Sequence, residues 1–138
     1  MDESFLKLLE ISQHQTELVD KGWQFFSTVT LAVLGVVLGA DKFRTTKALR
    51  LIALGGYIVF AFGNLLAILR AQNGAIRYIT LINREMVNQK LTEIVPLYDP
   101  FPLWQLVLFH VAITCTVVVI IAFAHRIHIG RSPLRKKK

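Results

Sequence analysis

His110 and Thr114 stand four residues apart in the run PLWQLVLFHVAITCTVVVIIAFA, which holds no Asp, Glu, Lys or Arg. That spacing puts both on one face of a helix. An ionisable side chain in so apolar a stretch is costly to keep, so it marks a candidate functional group. It could accept a proton, ligate a metal or line a hydrated path. Two further apolar runs carry polar residues of their own, Ser27, Thr28 and Thr30 in the first and Asn64 in the second. Counted from the run ends on the side of the N-terminus, Thr30, Asn64, His110 and Thr114 lie about five to twelve residues deep. At ~1.5 Å per residue, Ser27, Thr30, Asn64, His110 and Thr114 form a polar layer in one half of a membrane. The plainer role for such a layer is adhesion between helices. A neutral His bonded to Asn64, to a Thr hydroxyl or to a carbonyl contributes about 0.6 kcal/mol there.

Other chemistry finds little support. His125 and His128 form an HxxH pair with no Cys or carboxylate beside it to complete a metal site. His110 and His125 are fifteen residues apart, roughly 22 Å along a helix, too far to grip one haem. No GxSxG, HExxH, Walker or GxGxxG pattern occurs. The one cysteine, Cys115, lies inside the third apolar run and has no partner in the chain. The expectation is therefore no enzyme, no metal and no cofactor. The net charge of +7 arises from 16 basic and 9 acidic residues, but the basic ones sit beside the apolar runs and in the tail. That placement suits membrane topology and not a nucleic-acid partner. The tail residues Arg131, Arg135, Lys136, Lys137 and Lys138 could hold anionic lipid, each contributing about 1 kcal/mol, or serve as a topology signal alone.

The elements that position these groups follow from the hydrophobic pattern of the 138-residue chain. Residues 51–69 are free of charge and bracketed by Arg50 and Arg70; as a helix they span roughly 28 Å, close to the ~30 Å core of a bilayer. Residues 23–40 and 102–124 read the same way. The fold class is an all-α integral membrane protein of three transmembrane helices, a single domain over 1–138. Residues 1–22 read as an amphipathic N-terminal helix and 41–50 as a short loop that makes the first two spans antiparallel. In 70–101, Asn73-Gly74 signals a turn. Ala75, Ile79, Ile82 and Met86 then mark an amphipathic helix over 75–94, stopped by Pro96, Pro100 and Pro102. Residues 125–138 form a basic tail.

Ten Lys/Arg fall in the 24 residues of loop and tail, against six in the 54 residues of the N-terminal and 70–101 segments. The positive-inside rule puts loop and tail in the cytoplasm and the N-terminus outside, the expected site being a bacterial inner membrane. Trp23 and Trp104 then fall at the outer interface. Small residues suggest close helix contacts: Gly35 and Gly39 in a GxxxG pattern, and Ala53, Gly56, Gly63 and Ala67 along one face with Phe60. The seam could pack within the chain or between copies.

In architecture alone (three spans, N-terminus outside, basic tail) the chain is similar to one class of phage holins and to small three-span immunity proteins. The likeness covers topology and not residues, and the long 70–101 segment departs from the holin pattern. The expected function is that of an accessory or regulatory subunit, or a self-assembling membrane component. Its partners are the lipid bilayer and other membrane chains or copies of itself. The alternative is an oligomeric pore lined by the polar layer.

Overall fold

The computed structural model describes residues 3–89, 97–99 and 101–126, leaving aside the side chains of Ser4, Arg44 and His125. Helix α1 covers Glu3–Gly39, α2 Asp41–Thr45, α3 Lys47–Asn88 and α4 Leu103–Phe123; a 3₁₀ turn, Ala124–Arg126, ends the described chain. Helices α1, α3 and α4 are each long and apolar enough to cross a membrane. Their outward faces carry Leu31, Ile52, Val59, Phe62, Leu108 and Phe109, all exposed. Such a belt is tolerable against lipid and not against water. The protein is a small all-α membrane protein.

Two of the helices run on past the spans. The N-terminal helix is continuous with the first span in α1, 37 residues and about 55 Å long. The turn expected at Asn73-Gly74 is absent, and α3 passes through it for 42 residues, about 63 Å. The amphipathic helix after span 2 is thus a continuation of that span. Its expected end at 94 lies outside the described residues, as do Pro96 and Pro100. The physical reason lies in the cost of a break. A lone glycine disfavours helix by only about 1 kcal/mol against alanine, and neither Gly22 nor Gly74 has a proline beside it to enforce a stop. Packing across the junctions outweighs that cost.

The packing follows a repeat of 3.5 residues. On α1 the buried Phe5, Ser12, Val19 and Phe26 recur every seven residues. On α3 the buried residues are Tyr57, Ala61, Asn64, Ile68, Gln72, Ala75, Ile82 and Met86. This is the pattern of helices paired side by side in a left-handed supercoil. Phe5 packs on Ile82 and Met86 at the far tip. Val19 meets Ile68 and Leu106 nearer the membrane. Phe26, Val37, Tyr57, Ala61, Val117, Ile121 and Ala124 fill the membrane core, with Phe43 of α2 packed against its end. The outcome is a three-helix membrane unit from which α1 and α3 continue as a two-helix stalk of about 30 Å.

Gly22 permits a close approach of α1 to α3. A Cβ there would stand 2.7 Å from Cγ1 of Ile68, itself 1% exposed. Gly74 faces the side chain of Gln15 at a similar distance. The chain returning towards α4 is tied to the stalk by side-chain amides. Asn83 Nδ2 donates to the Tyr98 carbonyl at 2.8 Å, and Asn83 Oδ1 accepts from the Tyr98 N–H at 3.0 Å. Gln72 Nε2 donates to the Phe101 carbonyl at 2.8 Å. Backbone groups without a helical partner are satisfied in this way.

Gly22→Leu should lower stability by about 1–3 kcal/mol, because Ile68 has no room to move. Gly74→Ala should cost clearly less, since it meets only the flexible end of Gln15. Unfolding of the detergent-solubilised protein by added dodecyl sulfate, followed by circular dichroism, separates the two.

Candidate functional site: a polar and aromatic layer across three helices

The described part of the predicted polar layer resolves into one aromatic cluster and two kinds of polar group. Phe26 of α1 stacks on the imidazole of His110 from α4, with ring centres 4.1 Å apart and planes inclined by 30°. It also lies parallel to Phe60 of α3 at 6.2 Å. Trp23 approaches both Phe26 (5.9 Å) and His110 (5.7 Å). Three helices thus meet at one level. Lipid tails are as apolar as these rings, so the drive for association is close contact and ring geometry, not escape from water.

Thr30 makes the interhelical bond expected of such a layer, but with a partner not singled out in the sequence. Its Oγ1 lies 3.1 Å from the hydroxyl of Tyr57, both buried. Each hydroxyl can donate to or accept from the other, so neither is left unpaired in an apolar interior. Thr114 lies 3.4 Å from Nδ1 of His110, on the same helix face as expected. Ser27 is exposed on the outer surface. Thr28 is exposed too, and its hydroxyl donates to the Gln24 carbonyl at 2.8 Å. A helical threonine satisfied by its own backbone needs neither water nor a neighbour.

His110 and Asn64 are buried, at 1% and 9% exposure, but do not bond to each other. His110 Nε2 and Asn64 Nδ2 each lack a hydrogen-bond partner among the described residues. The two are nonetheless level. Leu106 and Ile68 pack together, and His110 follows Leu106 by four residues where Asn64 precedes Ile68 by four. In an antiparallel pair that brings both to one height. A ring nitrogen without a proton accepts and an amide N–H donates, so the two groups are complementary in kind. With 1% exposure, the imidazole is sealed from solvent behind Trp23 and Phe26.

The small residues lie elsewhere than in the buried seam. A Cβ at Gly35, Gly39, Gly56 or Gly63 would meet nothing within 4 Å. Ala67 is exposed, and Ala53 is half-buried against the core. The buried seam runs one residue further round α3, through Leu54, Tyr57, Ala61, Asn64 and Ile68. One residue turns a helix by about 100°, so the stripe of small residues faces outward within one chain. Within the chain the contacts are made by Tyr57, Ile68 and Phe26. The signal was available in the sevenfold recurrence of Leu54, Ala61, Ile68, Ala75 and Ile82. Trp23 is half-buried in the cluster, while Trp104 is exposed. His128 and the tail residues Arg131, Arg135, Lys136, Lys137 and Lys138 lie outside the described residues.

No known protein family, curated protein or solved structure matches the chain. The functional reading therefore rests on the geometry.

Thr30→Val and Tyr57→Phe should each destabilise the protein, and the double variant should cost less than their sum, with a coupling of about 0.6 kcal/mol. His110→Phe preserves the stack on Phe26 and removes an unpartnered nitrogen, so it should be neutral or stabilising. Dodecyl-sulfate unfolding of the four variants measures both effects.

Proposed function

We propose that the protein is an accessory subunit that works through helix contacts, in the membrane and along its stalk, with other membrane chains or with copies of itself. The observation that carries this reading is the inward closure of the polar layer. Thr30, Asn64 and His110 are buried within a single chain, and Thr30 is satisfied by Tyr57. A pore built from several copies needs those groups on the surface that faces the lumen. Only Ser27 of the layer is fully outward, which is too little to line a hydrated path. The pore reading is correspondingly weaker.

The surface features suit assembly. Gly35 and Gly39 on α1, and Gly56, Gly63 and Ala67 on α3, lie open on the outer surface. Faces of small residues let a second helix approach closely in lipid. Beyond the membrane, the stalk adds about 30 Å of paired helix to the accessible surface. In this reading the N-terminus and stalk stand outside a bacterial inner membrane and the basic tail lies in the cytoplasm, as the charge distribution favours.

The mass of the particle purified in mild detergent tests the proposal. A discrete oligomer, or a particle holding other chains, is the expected result. Gly56→Leu combined with Gly63→Leu should break that particle down while leaving the monomer folded, because no neighbour within the chain occupies that space. A particle unchanged by both substitutions removes the stripe from the assembly. For the pore reading, purified protein in planar bilayers should pass no current, and a conductance altered by His110→Leu would reinstate it.

A further inference from the structure

Two columns of opposite charge run along the stalk at one spacing. Glu3, Glu10 and Glu17 recur every seven residues on α1, and Arg70, Arg77 and Arg84 do the same on α3. All six are exposed. Each glutamate stands two residues before a buried member of the α1 seam, Phe5, Ser12 or Val19. Each arginine stands two residues after a buried member of the α3 seam, Ile68, Ala75 or Ile82. Two residues turn a helix by about 200°. Both columns therefore lie on the backs of their helices, the acidic one facing away from α3 and the basic one away from α1, so they do not meet within one chain. Glu3 pairs with Lys7 at 3.0 Å and Glu17 with Lys21 at 3.6 Å, both exposed contacts along α1 itself. The three arginines form no ion pair among the described residues.

The columns are also level. Phe5 packs on Ile82, and Val19 on Ile68. Because α1 and α3 are antiparallel, two residues back along α1 and two residues on along α3 are steps in the same direction. Glu3 is therefore level with Arg84 and Glu17 with Arg70, and Glu10 is level with Arg77 between them. Copies inserted the same way in one bilayer stand at one height, so residues level within a chain are level between neighbours. The three rungs are about 10 Å apart. The same columns continue into the membrane, through Gly63 and Gly56 on α3 and through Gln24 and Leu31 on α1. Thr30 meets Tyr57, so Leu31 is level with Gly56. Leu31 is 69% exposed, and a Cβ on Gly56 would meet nothing within 4 Å. A large side chain on one edge thus stands opposite a gap on the other.

We infer that these two edges take a second copy of the chain, the back of α1 in one copy lying along the back of α3 in the next. The inference rests on the assembly reading above and names its surface. Residues 3–21 hold four acids and two lysines, whereas residues 70–88 hold three arginines and one acid. A foreign chain of one sign matches one edge, but a second copy carries both columns at the spacing and height required. The contact is head-to-tail, and a closed set of copies leaves neither edge unmatched. A carboxylate has lone pairs for both its own lysine and an incoming arginine. Exposed pairs contribute little each, so the charges set partner and register, while Leu31 against Gly56 supplies close packing in lipid.

The test is the particle mass of the full chain in an uncharged maltoside detergent at about 50 mM salt, where screening is weak. Glu3→Arg combined with Glu10→Arg should weaken self-association at least about tenfold, and so should Arg77→Glu combined with Arg84→Glu. Mixed in equal amounts, the two variants should regain the wild-type mass, since each supplies the charge that the other lacks. An unchanged mass in either variant overturns the inference, as does a mixture that stays dissociated. The substituted residues are exposed, and circular dichroism checks that the helices are kept. Should a reversal unfold the stalk, salt decides with the wild type alone: association should weaken on raising it to about 0.5 M, and an unchanged particle overturns the inference. A wild-type particle holding one copy and foreign chains overturns this inference and leaves the assembly reading standing. A bare monomer overturns both.

Discussion

The contact on which the structure depends is the stack of Phe26 against His110, with Phe60 parallel to Phe26 at 6.2 Å. It is a level at which side chains of all three long helices meet ring to ring. Elsewhere α1 and α3 could pair without α4, as they do along the stalk. In lipid there is no gain from hiding apolar surface, so α4 must be held by shape and by ring contacts. Phe26 supplies both, and Leu106, Val117 and Ile121 extend the same seam above and below. The polar atoms at this level are arranged around that packing and do not direct it. Thr30 and Tyr57 satisfy each other, while His110 and Asn64 are carried inside with one atom apiece unbonded.

The same heptad serves in two solvents. Along the stalk the α1–α3 seam is made by Phe5, Val19, Ile82 and Met86, side chains that gain from leaving water. Within the membrane it is made by Phe26, Tyr57 and Ala61, where ring geometry, a small side chain and one hydroxyl pair give the fit. The change of chemistry occurs around Gly22 and Ile68, where a glycine lets the two helices approach closely. Because spacing is kept through the change, neither helix needs to break at the membrane boundary. This is why two long helices replace the four shorter ones that hydropathy alone suggests.

The three spans and the helical nature of 75–88 were legible in the sequence, since long charge-free runs and apolar spacing report directly on environment; the loop expected over 41–50 instead holds α2 and the first turn of α3. The junctions were not. Asn73-Gly74 is a turn signal only in the absence of competing tertiary contacts, and Gln15 against Gly74 and the burial of Gln72 and Ala75 supply those contacts. The polar layer was legible in depth but not in partners, because depth follows from counting while direction needs the helix rotation. On α3 the seam within the chain runs through Tyr57 and Ala61, one residue round from Gly56 and Gly63.

An unbroken helix through the membrane surface has a mechanical consequence. With no proline, bulge or turn between Glu3 and Gly39, α1 behaves as a stiff rod of about 55 Å. A sideways push of ~3 Å at its tip tilts the whole rod by ~3°, with the membrane segment included. The amides of Gln72 and Asn83 clamp the chain leading into α4 onto the second rod, so the third span is drawn along. A displacement at the tip of the two long helices is thus geometrically coupled to the tilt of all three apolar helices.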